Sequence, residues 1–172
     1  MSPTDFEPIG ESLKRVARKT PADTAYKRGI AFGAHNTDPE SAVLAQDDRF
    51  EGFVTRDVVT APRDLREFLH PDAYMEIPTL AGEMSTLEDY NEIEAEGAVY
   101  LKLADTGAID ATSVVGTPLT FEDGKLRVAA EGEKFYFELT ANSAVASSGF
   151  PNRNGALRIR ARRRDGMVPV TT

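Results

Sequence analysis

The chain has 172 residues, with 20 Lys and Arg against 28 Asp and Glu, and no cysteine. That length favours one domain able to bury roughly 70% of its unfolded surface without staples, and the missing cysteines exclude disulfides, thiolate nucleophiles and thiolate metal centres. A net charge of −8 argues against general attraction to nucleic acid or anionic membrane; no apolar run approaches the roughly 20 residues of a membrane-spanning helix, and no apolar leader at the start predicts export.

Residues 1–24 read as an extended N-terminal arm. Met1 to Pro8 is proline-bearing and aperiodic. Glu11 to Lys19 predicts two turns of helix with Leu13, Val16 and Ala17 on one side, a length that is marginal alone in water. Thr20-Pro21 stops it, because the residue before proline disfavours the α region. Two readings stand side by side, a frayed terminus and an arm that orders on a partner, and on the second Leu13 and Val16 are candidate contact residues.

From residue 25 to 172 the pattern is that of a β-rich domain. Short strands are expected over Tyr26–Phe32, Ser41–Ala45 and Phe50–Val59, with turn-forming Asn, Asp and Pro between the first two. Ala61 to His70 predicts a short helix, with Pro62 in its first turn and Pro71 beyond its end. Tyr74 to Thr79 predicts an edge strand. Glu83 to Glu96 is acidic and reads as less regular. Val99, Leu101 and Leu103 alternate with polar positions, as do Phe135, Phe137 and Leu139, and Leu157, Ile159 and Ala161. Asp123-Gly124 between apolar segments predicts a tight hairpin, since a type I′ turn needs positive φ at both central residues. Strands at roughly ten-residue spacing with few helices predict an all-β fold, a mainly antiparallel sandwich or partly open barrel with one or two short helices. Phe53, Val99, Leu101, Phe135, Phe137 and Leu139 are the expected core.

Chemistry-bearing motifs are sparse. The two histidines, His35 and His70, have no second ligand at helical spacing. There is no glycine-rich phosphate loop and no nucleophile elbow. The expectation is a protein without catalysis, metal or cofactor.

Charge is instead laid out in two blocks. Glu83, Glu88, Asp89, Glu92, Glu94 and Glu96 lie in a stretch without a base, and Arg153, Arg158, Arg160, Arg162, Arg163 and Arg164 in a stretch without an acid. Alternation places Arg158, Arg160 and Arg162 on one strand face. Three readings stand side by side: a solvated face, contact with a carboxylate-rich surface (this chain's own acidic block, in cis or on a neighbouring copy, or a partner), and nucleic acid. The last lacks interleaved aromatics for base stacking.

Lys27-Arg28-Gly29 followed by Ile30-Ala31, then Ser41-Ala42-Val43-Leu44-Ala45, then Gly52-Phe53-Val54-Thr55-Arg56-Asp57-Val58, resembles the opening of tailed-bacteriophage head decoration or capsid cement proteins. Glu96-Gly97-Ala98-Val99-Tyr100-Leu101 resembles their glycine-led central strand. The resemblance spans about 100 residues as a pattern. It implies a β-rich virion structural protein on the outside of an assembled phage capsid, made in the host cytoplasm. The implied partners are the major capsid protein and copies of itself, as a trimer, with no nucleic acid and no membrane. The arginine-rich end and the insertion Pro62–Met84 depart from the shortest members. The alternatives are another β-rich virion part, such as a tail or adaptor component, or a small β-barrel enzyme or ligand-binding module.

Overall fold

The computed structural model describes residues 6–60, 78–96, 107–145, 148–150 and 157–172. The predicted helix over 61–70, most of the predicted strand over 74–79, the strand centred on Leu101, and Arg153 lie outside the described residues.

The described chain is all-β, with 55% strand and no helix. Its strands are β1 (Phe6–Lys19), β2 (Ala31–Ala34), β3 (Ala42–Leu44), β4 (Gly52–Val54), β5 (Val58–Val59), β6 (Thr79–Leu80), β7 (Met84–Glu96), β8 (Pro118–Glu122), β9 (Lys125–Val128), β10 (Lys134–Asn142) and β11 (Arg158–Met167). One antiparallel sheet runs β3-β2-β4-β7-β11-β10-β8-β9 and curls into a half-barrel, while β5 and β6 form a separate parallel pair.

β7 is the hub. One edge pairs with β4 at Leu87 and Glu88 and with β11 from Glu92 to Glu96; the other carries β1 from Met84 to Ala95. The expectation of an irregular acidic stretch here is corrected. Ile93 and Ala95 alternate with Glu92, Glu94 and Glu96, which is strand periodicity with an acidic outer face. Gly52 lets β4 approach: a Cβ there would sit 2.8 Å from the Glu88 carbonyl carbon.

The N-terminal expectation is corrected as well. Glu11 to Lys19 is not helix but the greater part of a 14-residue strand. Two register shifts, at Ile9–Ser12 and Ser12–Lys14, bend it along β7. Phe6 anchors its start, its ring 4.7 Å from that of Phe53 in the core. Tertiary pairing overrides a helix propensity too weak to hold two turns.

Two apolar clusters lie on opposite faces of β2, β4 and β7. The larger fills the half-barrel with Phe6, Phe53, Tyr90, Ile93, Leu119, Phe121, Tyr136, Phe137, Leu139 and Ile159. The smaller joins Ile30, Phe32, Val54, Val58 and Leu87. Phe53, Phe137 and Leu139 are buried as expected. Phe135 is only half-buried and Tyr136 is buried instead. The Tyr136 ring packs on Phe50 and Phe121, beside a bulge at which β11 carries an extra residue, Phe135 facing Gly166 and Phe137 facing Arg163. The hairpin at Asp123 (φ 47) and Gly124 (φ 77) has the expected double positive φ. Its tip docks on the first strands, with the Ala31 N–H donating to the Gly124 carbonyl at 2.9 Å and the Gly124 N–H to the Ala45 carbonyl at 3.0 Å.

Candidate functional site

The two charge blocks meet. β7 and β11 run antiparallel with Arg158 opposite Glu96, Arg160 opposite Glu94 and Arg162 opposite Glu92. Ile93, Ala95, Ile159 and Ala161 turn into the core, so the charged residues share the outer face. Of the alternatives for the arginines, contact with the chain's own acidic block in cis is the arrangement found. Arg158 contacts Glu94 and lies 3.6 Å from Glu96. Arg160 reaches Glu94 at 3.2 Å and Glu92 at 3.6 Å. Arg162, at 3.6 Å, and Arg164 both reach Glu138 of β10.

Exposure falls along this ladder. The side chains of Arg162 and Arg164 are each 60% exposed, whereas Arg158 and Glu94 are each 7% exposed. The Phe150 ring covers the inner end, 4.8 Å from the Arg158 guanidinium and 5.2 Å from that of Arg160. A uniformly solvated face is therefore corrected: Arg158 is a buried, paired cation.

Arg163 points the other way, into the barrel. It bonds Asp89 at 2.9 Å, Asp165 at 2.6 Å and the Tyr136 carbonyl at 2.9 Å. Its guanidinium lies within 5.3–5.5 Å of the ring centres of Phe50, Tyr136 and Phe137. Burial pushes the Asp89 carboxyl above its ordinary range, and Arg163 only partly offsets this. Burial, with Asp48 and Asp165 nearby, pushes the Tyr136 hydroxyl up to about 12. Glu88 is buried, accepts the Tyr90 hydroxyl at 2.7 Å and pairs with Arg15 of β1. Val16 packs against the smaller apolar cluster, while Leu13 stands exposed at a register shift of β1.

Two features were not anticipated from sequence. Basic residues of β1 are tied down, Arg18 to Glu51 at 2.8 Å and Lys19 to Glu40 at 2.6 Å; a helical reading of β1 concealed this. A cleft of about 180 Å³ is lined by Val54, Thr55, Arg56, Thr79, Met84, Ser85 and Thr86. Hydroxyl-bearing residues scattered over three strands leave no motif to find. His35 sits in a turn, where its Nδ1 accepts the Asp38 N–H at 3.1 Å. Among the described residues no group of three or more His, Cys, Asp or Glu is placed to hold a metal ion.

Among the described residues the charged groups of β7 and β11 are engaged chiefly with one another. Most arginine heads are spent on carboxylates of the same chain, and the half-barrel is lined with aromatic rings in mutual contact. No protein-family model, curated protein or solved structure matches the chain.

Proposed function

We propose that this chain is a virion structural protein that binds the outer surface of an assembled phage capsid and stabilises it, without catalysing a reaction. The observation that carries this reading is the filled half-barrel. Phe50, Phe53, Phe121, Tyr136 and Phe137 pack against one another in edge-to-face, tilted and stacked pairs, with ring centres 4.6–6.1 Å apart, so recognition falls to the outside of the sheet. A ligand-binding barrel instead keeps a concave apolar cavity with a few convergent polar groups. Exposed strand surface suits a lattice, where many weak contacts gain by effective concentration.

The resemblance noted above points the same way. Its Gly52-Phe53-Val54 segment is β4, where the glycine is required for contact with β7 and the phenylalanine joins the core. The partners under this reading are the major capsid protein and neighbouring copies on the capsid exterior.

The test is co-sedimentation of the purified chain with heads assembled from a tailed-phage major capsid protein, followed by calorimetry of the decorated heads. Saturable binding and a raised head-melting temperature are expected. A chain that stays in the supernatant over heads but pellets with tails or connectors belongs to those parts instead.

A further inference from the structure

Among the described residues β7 is the only ladder neighbour of β1, so the outer edge of β1 is open. Its two ends are closed. Phe6 is buried in the core, and the Lys19 N–H donates to the Glu40 carbonyl at 2.7 Å. Between them Glu7 and the whole run from Gly10 to Arg15 are exposed. An unpaired strand edge is a template for a further strand.

Charge along β1 is polarised. Glu7 and Glu11 lie in its first half, and Lys14, Arg15, Arg18 and Lys19 in its second. Antiparallel pairing of this segment with itself therefore sets acid against base. We propose that β1 pairs two-fold with the β1 of a second copy of this chain, centred on Leu13. In that register Glu11 faces the second copy's Arg15 and Ile9 its Ala17, while Lys19, engaged by Glu40, lies beyond the paired run. Leu13, 53% exposed in the single chain, meets its own counterpart on the axis. The contact is isologous, the same patch serving both subunits.

Other registers are penalised by the same residues. A centre at Glu11 sets that carboxylate against itself. A centre between Val16 and Ala17 sets Lys14 against Lys19 and Arg15 against Arg18. Opposed like charges on adjacent strands are destabilising. Pro8 and the two register shifts are ordinary devices against indiscriminate edge pairing, and here they restrict the edge to the complementary register. This inference concerns the free chain and does not rest on capsid binding; a two-fold contact is also distinct from the trimer that the family resemblance implies.

The experiment uses the full chain and three variants. Sedimentation velocity over a concentration series is expected to show a reversible dimer. Glu11→Lys places cations opposite one another twice per dimer and is expected to weaken association by roughly tenfold or more, with an unchanged circular dichroism spectrum, because the side chain is exposed. The chain has no cysteine, so Leu13→Cys introduces one thiol, and mild oxidation is expected to link two copies at the axis. Val170→Cys, at a position 66% exposed, is the control that stays unlinked. A chain that remains monomeric throughout overturns the proposal, as does a dimer indifferent to Glu11→Lys or one cross-linked equally through position 170.

Discussion

Arg163→Met tests the charged pair inside the barrel. The Arg163 side chain is 17% exposed and that of Asp89 10%, and methionine keeps much of the apolar stem while removing the guanidinium. Asp89 is then buried without its cation, and the Tyr136 carbonyl loses a donor. Removing one partner of a buried pair costs about 3–5 kcal/mol, whereas replacing both with apolar residues is close to neutral. Asp89→Leu combined with Arg163→Met is therefore expected to regain most of the loss. The pH dependence has a definite sign. The folded Asp89 carboxyl already titrates above its ordinary value, through burial, so its contribution to stability is greatest below the unfolded value and declines as pH rises through the folded one. Without Arg163 the folded value rises further. The deficit of the single variant is thus largest at neutral pH and shrinks in mild acid. Urea unfolding followed by far-UV circular dichroism measures it, provided the m-values of all variants agree. A single variant costing under about 1 kcal/mol, or a double variant no more stable than the single, would refute the assignment of a buried, mutually dependent pair.

Three further outcomes are expected. Phe6→Ala should cost about 3–5 kcal/mol in urea unfolding, because the ring is fully buried against Phe53; a cost near zero would return residues 6–19 to the status of a dispensable arm. Gly124→Ala should lower the thermal midpoint by several degrees, since φ is +77° and the new Cβ would lie 2.8 Å from the Ala31 carbonyl oxygen; an unchanged midpoint would show that the hairpin tip does not dock there. The Arg127 guanidinium holds the Glu133 carboxyl below its usual range, so this pair contributes stability at neutral pH that is lost as pH falls through the depressed value. Glu133→Gln should accordingly lower stability at neutral pH and flatten the acid limb of a stability–pH profile, and an acid limb identical to the parent's would place the pair in solvent-screened contact only.

How far the fold was legible depends on what each segment touches. The hairpin at Asp123-Gly124 is local chemistry, and its turn can be read from two residues. Phe137 and Leu139 are buried as period two requires, whereas Tyr136, of the opposite parity, is buried by the rings of Phe50 and Phe121, contacts from distant strands that the alternation of β10 does not encode. Leu13, Val16 and Ala17 have helical spacing, which predicts helix over Glu11–Lys19; the strand state is imposed by β7, 65 to 89 residues away in sequence. β7 itself was obscured by Leu87 to Tyr90, which are buried on both faces and therefore break the alternation. The candidate site was half legible. Blocks of opposite charge announced that something must pair with the arginines, but the choice between cis and trans depended on the adjacency of β7 and β11, which sequence spacing does not encode.

That adjacency gives the arginine block a role beyond attraction. Buried ion pairs are weak evidence of net stabilisation, because desolvation cancels much of the Coulomb gain. Their consequence for register is sharper. Sliding β11 by one residue against β7 would turn Arg158 and Arg160 into the apolar interior and bring Ile159 and Ala161 out onto the acidic face. Each misplaced guanidinium would then lie among Ile93, Leu139 and the aromatic rings without a carboxylate, at a cost of several kcal/mol. Arginine suits the task better than lysine, since its planar fork bonds two acceptors at once, as Arg163 does with Asp89 and Asp165. The described cations of β11 are thereby paired within the chain, Arg158 and Arg163 in buried contacts and Arg162 and Arg164 at the exposed end of the ladder.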